Sequence, residues 1–432
     1  MRCILVILDG LGDRAHDALA GRTPLQAAYT PHLDRLATAG MNGLYHAYLQ
    51  GVSLSSEVAH FLMFGYDREE LPGRGYLEAV GYGLEPDAED VFLLCHLCSV
   101  AEKDGQLVLA HERPEVAKSE LYALKKALNT CKSNDIGIRF VSTRKGDGLL
   151  VLSGAVSPAI TDSDPIYEGR PLISVEPADA TPEARRTSEQ MNRYLLSVYR
   201  TLSSHPLNLG RKEKGLPPVN ALATQRAGRK QPLTPFFEKW GLKALSIASL
   251  PIYWGLCREL GMEVSEVKDS GDPEGDLRER LSLAHGSREY DFIHVHTKVA
   301  DEAGHTKDPS IKKAVIEALD RAMAFAVEEI MPDPEVLLVV TADHSTASVG
   351  TMIHTGETVP LTMVGKFPRR DRVTAFNEID CARGALGPVR GVELMHLVLN
   401  FLDRGKLGGL MDTTHDQPYY PGHSKPLNLD GY

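Results

Sequence analysis

The sequence predicts an α/β protein: a doubly wound, mostly parallel sheet formed by both ends of the chain, interrupted by an inserted α+β domain. Three observations predict it. Hydrophobic runs stand at 4–8, 292–295 and 336–340, and the first is continuously aliphatic, as expected of a strand covered on both sides. They alternate with segments of helical periodicity, the pattern of βαβ units. Between about 87 and 206 the texture changes to short valine-rich runs separated by polar turns. The boundaries expected are therefore 1–86 with 207–432 for the sheet domain and 87–206 for the insert.

In chain order, a strand at Cys3 to Leu8 runs into the tight turn Asp9-Gly10-Leu11-Gly12. Thr30-Pro31 opens a helix with Leu33, Leu36 and Ala37 on one face, and Gly40 ends it. Asn42 to Tyr48 reads as a strand, and Ser55-Ser56 opens the next helix, with Ser55 as its cap. Inside the insert, Val91 to Leu94, Leu107 to Leu109, Ile136 to Phe140 and Leu149 to Leu152 are strand-like. A long helix from Pro182 to Leu202 carries Met191, Tyr194, Leu195, Val198 and Leu202 on one stripe, and is expected to join the two domains. The α/β alternation resumes with strands at 245–248, 263–267, 292–296, 336–340 and 359–364 and helices at 252–261, 276–284 and 311–330. The tail from Met411 reads as an irregular surface arm.

With 432 residues and 43% hydrophobic content, the chain buries one large or two medium cores. A net charge of −11 opposes binding to nucleic acid or anionic membrane, so neither is an expected partner. No apolar stretch approaches ~18 residues and no leader-like segment opens the chain, so a cytoplasmic protein is expected. Nothing in the composition opposes oligomerisation. The six cysteines are scattered, unlike a disulfide framework. Cys95-His96-Leu97-Cys98 has the spacing of half a zinc knuckle with no second pair, so these read as buried thiols.

The chemistry is signalled by hard donors placed just past apolar strands: Asp9, Asp301 and Asp343-His344 all follow the C-terminal ends of expected parallel strands, the edge where open α/β sheets build their sites. Asp301 and His305 stand at i and i+4, so both can reach one ion. With His354 the set becomes three carboxylates and three imidazoles. That mixture suits Mn²⁺, Zn²⁺ or Co²⁺ better than the all-oxygen preferences of Mg²⁺ or Ca²⁺. Two such ions ~4 Å apart hold the entering and leaving oxygens of an in-line displacement. Ser56 at a helix start is the candidate nucleophile, since a bound cation and a helix N-terminus both favour its alkoxide. A small anionic substrate needs local cations against the global charge. The candidates are Arg74, Arg258, Lys298, Arg383 and Arg390, with Lys298 foremost because it lies between a strand and Asp301. Asp162 and Asp164 either orient a substrate hydroxyl or cap the turn before Pro165. His60 reads as a satisfied core histidine, with support of the Ser56 site as the alternative.

At these residues the chain resembles the archaeal-type cofactor-independent (2,3-bisphosphoglycerate-independent) phosphoglycerate mutases of the alkaline phosphatase superfamily. The matching segments include 7–13, Thr23-Pro24-Leu25-Gln26, 30–34, 75–83, 161–165, 213–218, 301–305, 341–346 and 381–384. The resemblance implies one ion on Asp301, His305 and His354, and another on Asp9, Ser56, Asp343 and His344. It implies a phosphoserine at Ser56. From position and charge, Lys298 is expected as a further catalytic group, and Arg74, Asp162, Arg258, Lys298 and Arg383 as substrate contacts. The insert would be a substrate or lid domain, and the reaction the interconversion of 3- and 2-phosphoglycerate.

Three departures stand out. Ser55-Ser56-Glu57 replaces the family's Gly-Ser-Asp. Leu94-Cys95-His96-Leu97 replaces Arg-Cys-Asn-Phe, and Trp254 replaces a basic residue. Each lost charge-assisted contact removes ~1.5–3 kcal/mol of anion recognition. A phosphatase or phosphotransferase acting on another phosphate or phosphonate is therefore the competing reading, and a non-catalytic metal-binding scaffold the third.

Overall fold

The computed structural model describes residues 1–131, 133 and 135–429. The chain forms two compact units, one from Met1–Leu71 with Leu233–Tyr432 and one from Pro72–Pro232. The strands in chain order are β1 (Arg2–Leu8), β2 (Met41–His46), β3 (Val91–Lys103), β4 (Gln106–His111), β5 (Gly137–Ser142), β6 (Asp147–Ser153), β7 (Ala221–Gly228), β8 (Ala244–Ala248), β9 (Glu263–Glu266), β10 (Phe292–Thr297), β11 (Val336–Thr341), β12 (Val359–Val364) and β13 (Gly387–Arg390).

The first unit holds an eight-stranded sheet in the order β13-β2-β12-β11-β1-β10-β8-β9. All neighbours are parallel except β12, which runs against both β11 and β2. The aliphatic runs occupy its centre: every residue of β1, β10 and β11 is buried. The register places their C-terminal ends at one level, with Leu8 opposite Thr297 and Ile7 opposite Thr341. Asp9, Lys298 and Asp343 therefore leave three adjacent strands along one edge.

The second unit is an antiparallel sheet, with β3 pairing β4, β6 and β7 and β5 completing the β6 side. The compact division falls at 71/72 and 232/233 rather than at 86/87 and 206/207. Pairing explains the difference. β7 forms a ladder with β3, and the Arg74–Gly81 helix packs so closely on it that a Cβ at Gly75 would lie 2.2 Å from the Phe92 carbonyl oxygen. The helix Pro182–Ser203 does not join the units. Its buried Met191, Tyr194, Val198 and Leu202 belong to the core of the second unit, with Leu93, Leu124, Leu150 and Leu222.

The sequence reading assigns no element to β7, β13 or the helix Gly391–Phe401. The segment Met352-Ile353-His354 is irregular, with Met352 and Ile353 exposed rather than forming an apolar strand. The tail from Met411 lacks helix and strand among the described residues, and is tied down where Lys406 pairs with Asp412 and Asp416. All six cysteines are buried and free. No described helix is long and apolar enough to cross a membrane.

Candidate metal centre and nucleophile

The seven residues singled out by sequence converge in the first unit. Ser56 is the first residue of the helix Ser56–Met63 and is itself buried. Its Oγ lies 2.9 Å from His344 Nε2 and accepts a hydrogen bond from Lys298 Nζ at 2.7 Å. Ser55 does hold the N-cap position, with extended backbone, but its side chain makes no capping bond.

Lys298 lies between two carboxylates, 2.9 Å from Asp9 Oδ1 and 2.9 Å from Asp301 Oδ2. Burial opposes its charge, yet Asp9, Tyr253 and Asp301 hold its pKa well above the ordinary lysine value. The same pairs act in reverse on the acids. Burial raises the Asp9 carboxyl, but Lys298 and the His296 hydrogen bond outweigh it and hold Asp9 well below the usual carboxylate range. Asp301 is likewise depressed against burial by Lys298, His305 and His354. All three groups are ionised at neutral pH.

Around Asp301, His305 Nε2 lies 3.2 Å from Oδ2 and His354 Nε2 3.3 Å from Oδ1. The helix Val299–His305 supplies Asp301 and His305 one turn apart, as their spacing predicts. His354 Nδ1 donates to the Leu54 carbonyl at 2.6 Å, which turns Nε2 toward Asp301. A similar relay sets His344. Thr346 Oγ1 donates to Asp301 Oδ1 at 2.6 Å and so accepts from His344 Nδ1 at 3.2 Å, leaving His344 Nε2 bare toward Ser56.

The donor set fits divalent ions. Asp301, His305 and His354 offer ligand atoms within 4.8 Å of one another, and so do Asp9, Asp343 and His344. Asp343 Oδ2 is buried and accepts no hydrogen bond, although His344 Nε2 lies 3.3 Å and His60 Nδ1 3.4 Å away. A buried carboxylate oxygen without a donor is costly unless a cation neutralises it.

Sequence reasoning missed a supporting layer. Asp9 Oδ2 accepts hydrogen bonds from the Tyr253 hydroxyl at 2.7 Å and from His296 Nε2 at 2.8 Å. Burial, opposed by Asp9, lowers the His296 pKa to about 4, so it serves as a neutral donor. His294 Nδ1 meets Ser246 Oγ at 3.0 Å. The one signal for this layer is the pair His294 and His296, two residues apart in an otherwise aliphatic strand and hence on one face. His60 is not a satisfied core histidine. Its Nδ1 bonds the Ser56 carbonyl at 2.8 Å, beside Asp343, while its Nε2 is buried without a partner.

Gly10 makes the close approach possible. Its φ is +66°, and a Cβ there would lie 2.6 Å from Asp301 Cβ. Gly10→Ala should lower unfolding free energy by at least about 2 kcal/mol, read from denaturant midpoints, because it adds both backbone strain and a clash.

Two of the cations expected to bind substrate are engaged elsewhere. Arg258 pairs with Glu266 on the edge strand β9, and Arg383 lies 76% exposed beside Asp380. Each therefore has a carboxylate partner within its own unit. Trp254 gives its indole N–H to the Ala248 carbonyl at 2.7 Å. Arg74 and Asp162 belong to the second unit. There Arg74 pairs with Glu78 at 2.8 Å, and Asp162 accepts the Arg226 N–H at 2.6 Å.

Comparison with known proteins agrees with this geometry. The model of the Metalloenzyme superfamily matches residues 1–401. A 2,3-bisphosphoglycerate-independent phosphoglycerate mutase 2 from Methanocaldococcus jannaschii is 40% identical and covered in full, as is this chain. The chain belongs to this mutase family, within the metalloenzyme superfamily. The Methanopyrus kandleri mutase is 35% identical, with 93% of this chain and 97% of that protein covered. Among solved structures, a cofactor-independent phosphoglycerate mutase from Thermoplasma acidophilum matches with a TM-score of 0.61 at 31% identity, covering 93% of this chain and 99% of that one. A Pyrococcus horikoshii protein matches with a TM-score of 0.76 at 25% identity, over 95% and 99% of the two chains. The family is thus a metalloenzyme family with a mixed α/β fold, and the two donor clusters support divalent-metal use by this member.

Proposed function

We propose that the chain interconverts 3- and 2-phosphoglycerate through a phosphoserine formed at Ser56. The observation that carries this reading is Ser56 Oγ, held at 2.7 Å from Lys298 Nζ and 2.9 Å from His344 Nε2 beside three ionised carboxylates. Two divalent ions, Mn²⁺ or Zn²⁺ with Co²⁺ admitted, fit on Asp301, His305 and His354 and on Asp9, Ser56, Asp343 and His344, where they would supply Lewis acidity toward the serine oxygen and phosphate.

The protein's own groups do the rest. Lys298 donates to Oγ and stabilises the anionic oxygen once its proton has left. Tyr253 and His296 hold Asp9 Oδ2, so that Oδ1 faces the site. As the bond from Oγ to phosphorus forms, the bond to the substrate oxygen breaks and that oxygen takes a proton. The other hydroxyl of the retained glycerate then displaces the serine in the reverse sense. Arg74 and Asp162, both in the Pro72–Pro232 unit, remain candidates for recognising the glycerate. A small phosphorylated metabolite is the partner, and a glycolytic, cytoplasmic role goes with it.

A second reading, a phosphatase or phosphotransferase on another phosphate or phosphonate, is favoured by Leu94 and by Trp254, whose N–H is committed to backbone. Incubating Mn²⁺-loaded protein with 3-phosphoglycerate separates the two. The mutase reading expects 2-phosphoglycerate without free phosphate. Free phosphate alone, or turnover of a different ester only, rejects it, and no turnover of any ester leaves the scaffold reading.

A further inference from the structure

Lys312 is wholly buried, yet the catalytic account makes no use of it. It lies in the first turn of the helix Pro309–Phe325, where an exposed lysine is ordinary. Its Nζ donates to three backbone carbonyls, Gly10 at 2.9 Å, Gly12 at 2.8 Å and Thr346 at 2.7 Å. Three N–H donors thus meet three acceptors, and Asp13 Oδ2 stands 3.2 Å away as the counter-charge. Asp13 is itself held by the backbone N–H and hydroxyl of Ser348, at 3.0 and 2.7 Å.

The carbonyls belong to the two loops that carry Asp9 and Asp343-His344, while the helix follows directly from the segment bearing Asp301 and His305. Lys307, on the same connection, extends the arrangement. Its Nζ donates to the Ala347 and Met352 carbonyls, both at 2.8 Å, and so ties down the loop that leads to His354. Carbonyls converging on one point are what a bound monovalent cation requires, and here an ammonium of the chain occupies that point.

We propose that Lys312 is a positioning residue that serves as an internal cation, fixing the spacing between the two metal half-sites, with Lys307 clamping the His354 loop to the same segment. The inference rests on the two-metal reading above. It predicts that removing either ammonium acts on ion affinity, and more strongly than an equal loss of fold stability does elsewhere.

The test is titration calorimetry with Mn²⁺ on the full chain, alongside thermal unfolding of each metal-free protein. Wild type should bind two ions. Lys312→Met should weaken binding about 10–100-fold, the range typical of lost outer supports. Leu319→Ala, a buried substitution two turns along the same helix, serves as the control for destabilisation and should bind nearly as wild type. Lys307→Met, at an exposed position, should fold normally and weaken one ion selectively, so it decides the matter if Lys312→Met does not fold. Lys312→Ala prepared in methylammonium should regain affinity. Wild-type affinity in both lysine variants, or an equal loss in Leu319→Ala, overturns the inference while leaving the metal reading intact. A wild type that binds no Mn²⁺ removes the metal reading itself, and this inference with it.

Discussion

Ser56→Ala should lower kcat by about four orders of magnitude or more while leaving Mn²⁺ stoichiometry nearly unchanged. The loss is large because Ser56 Oγ is the acceptor itself. Oγ alone is bracketed by Lys298 Nζ and His344 Nε2, and the substitution removes the atom that would carry the phosphoryl group. Ion binding survives because the carboxylates and imidazoles remain, with Asp301, His305 and His354 not touching Ser56 at all in the proposed division. Steady-state assay with calorimetric metal titration measures both quantities. A variant with full turnover removes the phosphoserine proposal, whereas one that loses its metals would recast Ser56 as a structural ligand.

Chelation should have the next largest effect, abolishing turnover and lowering the melting temperature. Without ions, Asp9 and Asp301 share the ammonium of Lys298, and Asp343 Oδ2 has no hydrogen-bond donor. Ions that bind the folded state alone add about 4 kcal/mol at a free concentration a thousand times Kd, which corresponds to a melting shift of roughly 10 °C for a unit of this size. Calorimetric scans before and after dialysis against EDTA, with Mn²⁺ added back, measure the shift. Equal melting temperatures and undiminished activity in metal-free protein would contradict the account.

The sheet and the donor residues gathered at its edge are legible in the sequence because both are written in strong local contrast. β1 and β11 are aliphatic runs, and a hard donor just beyond such a run has little packing purpose. β7 was not legible, since Ala221-Leu222-Ala223-Thr224-Gln225-Arg226-Ala227-Gly228 has no aliphatic run and becomes a strand through its ladder with β3. That ladder also moves the insert boundary outward. The helix Gly391–Phe401 does carry a readable apolar face, with Leu394, Met395, Val398 and Leu399 buried, so its omission reflects the reading rather than the chain.

In the site, Tyr253 and His296 escape because their partner Asp9 lies far away in sequence, and Thr346 because it alone resembles a turn residue. Lys312 inverts the expected pattern altogether: Ile311 is 45% exposed while its charged neighbour is buried. No local rule reaches such a residue, whose place is set by the carbonyls of Gly10, Gly12 and Thr346, all distant in sequence. At Arg258 and Arg383 a positive charge alone suggests an anion pocket, and the structure adds the partners Glu266 and Asp380, which no local rule foretells.

The central claim is that the donors around Ser56 hold two divalent ions, and anomalous diffraction from crystals of Mn²⁺-loaded protein tests it most directly. The account predicts two peaks, one bonded by Asp301, His305 and His354 and the other by Asp9, Asp343, His344 and Ser56. A map without peaks there, or with manganese bound at other side chains, would contradict it.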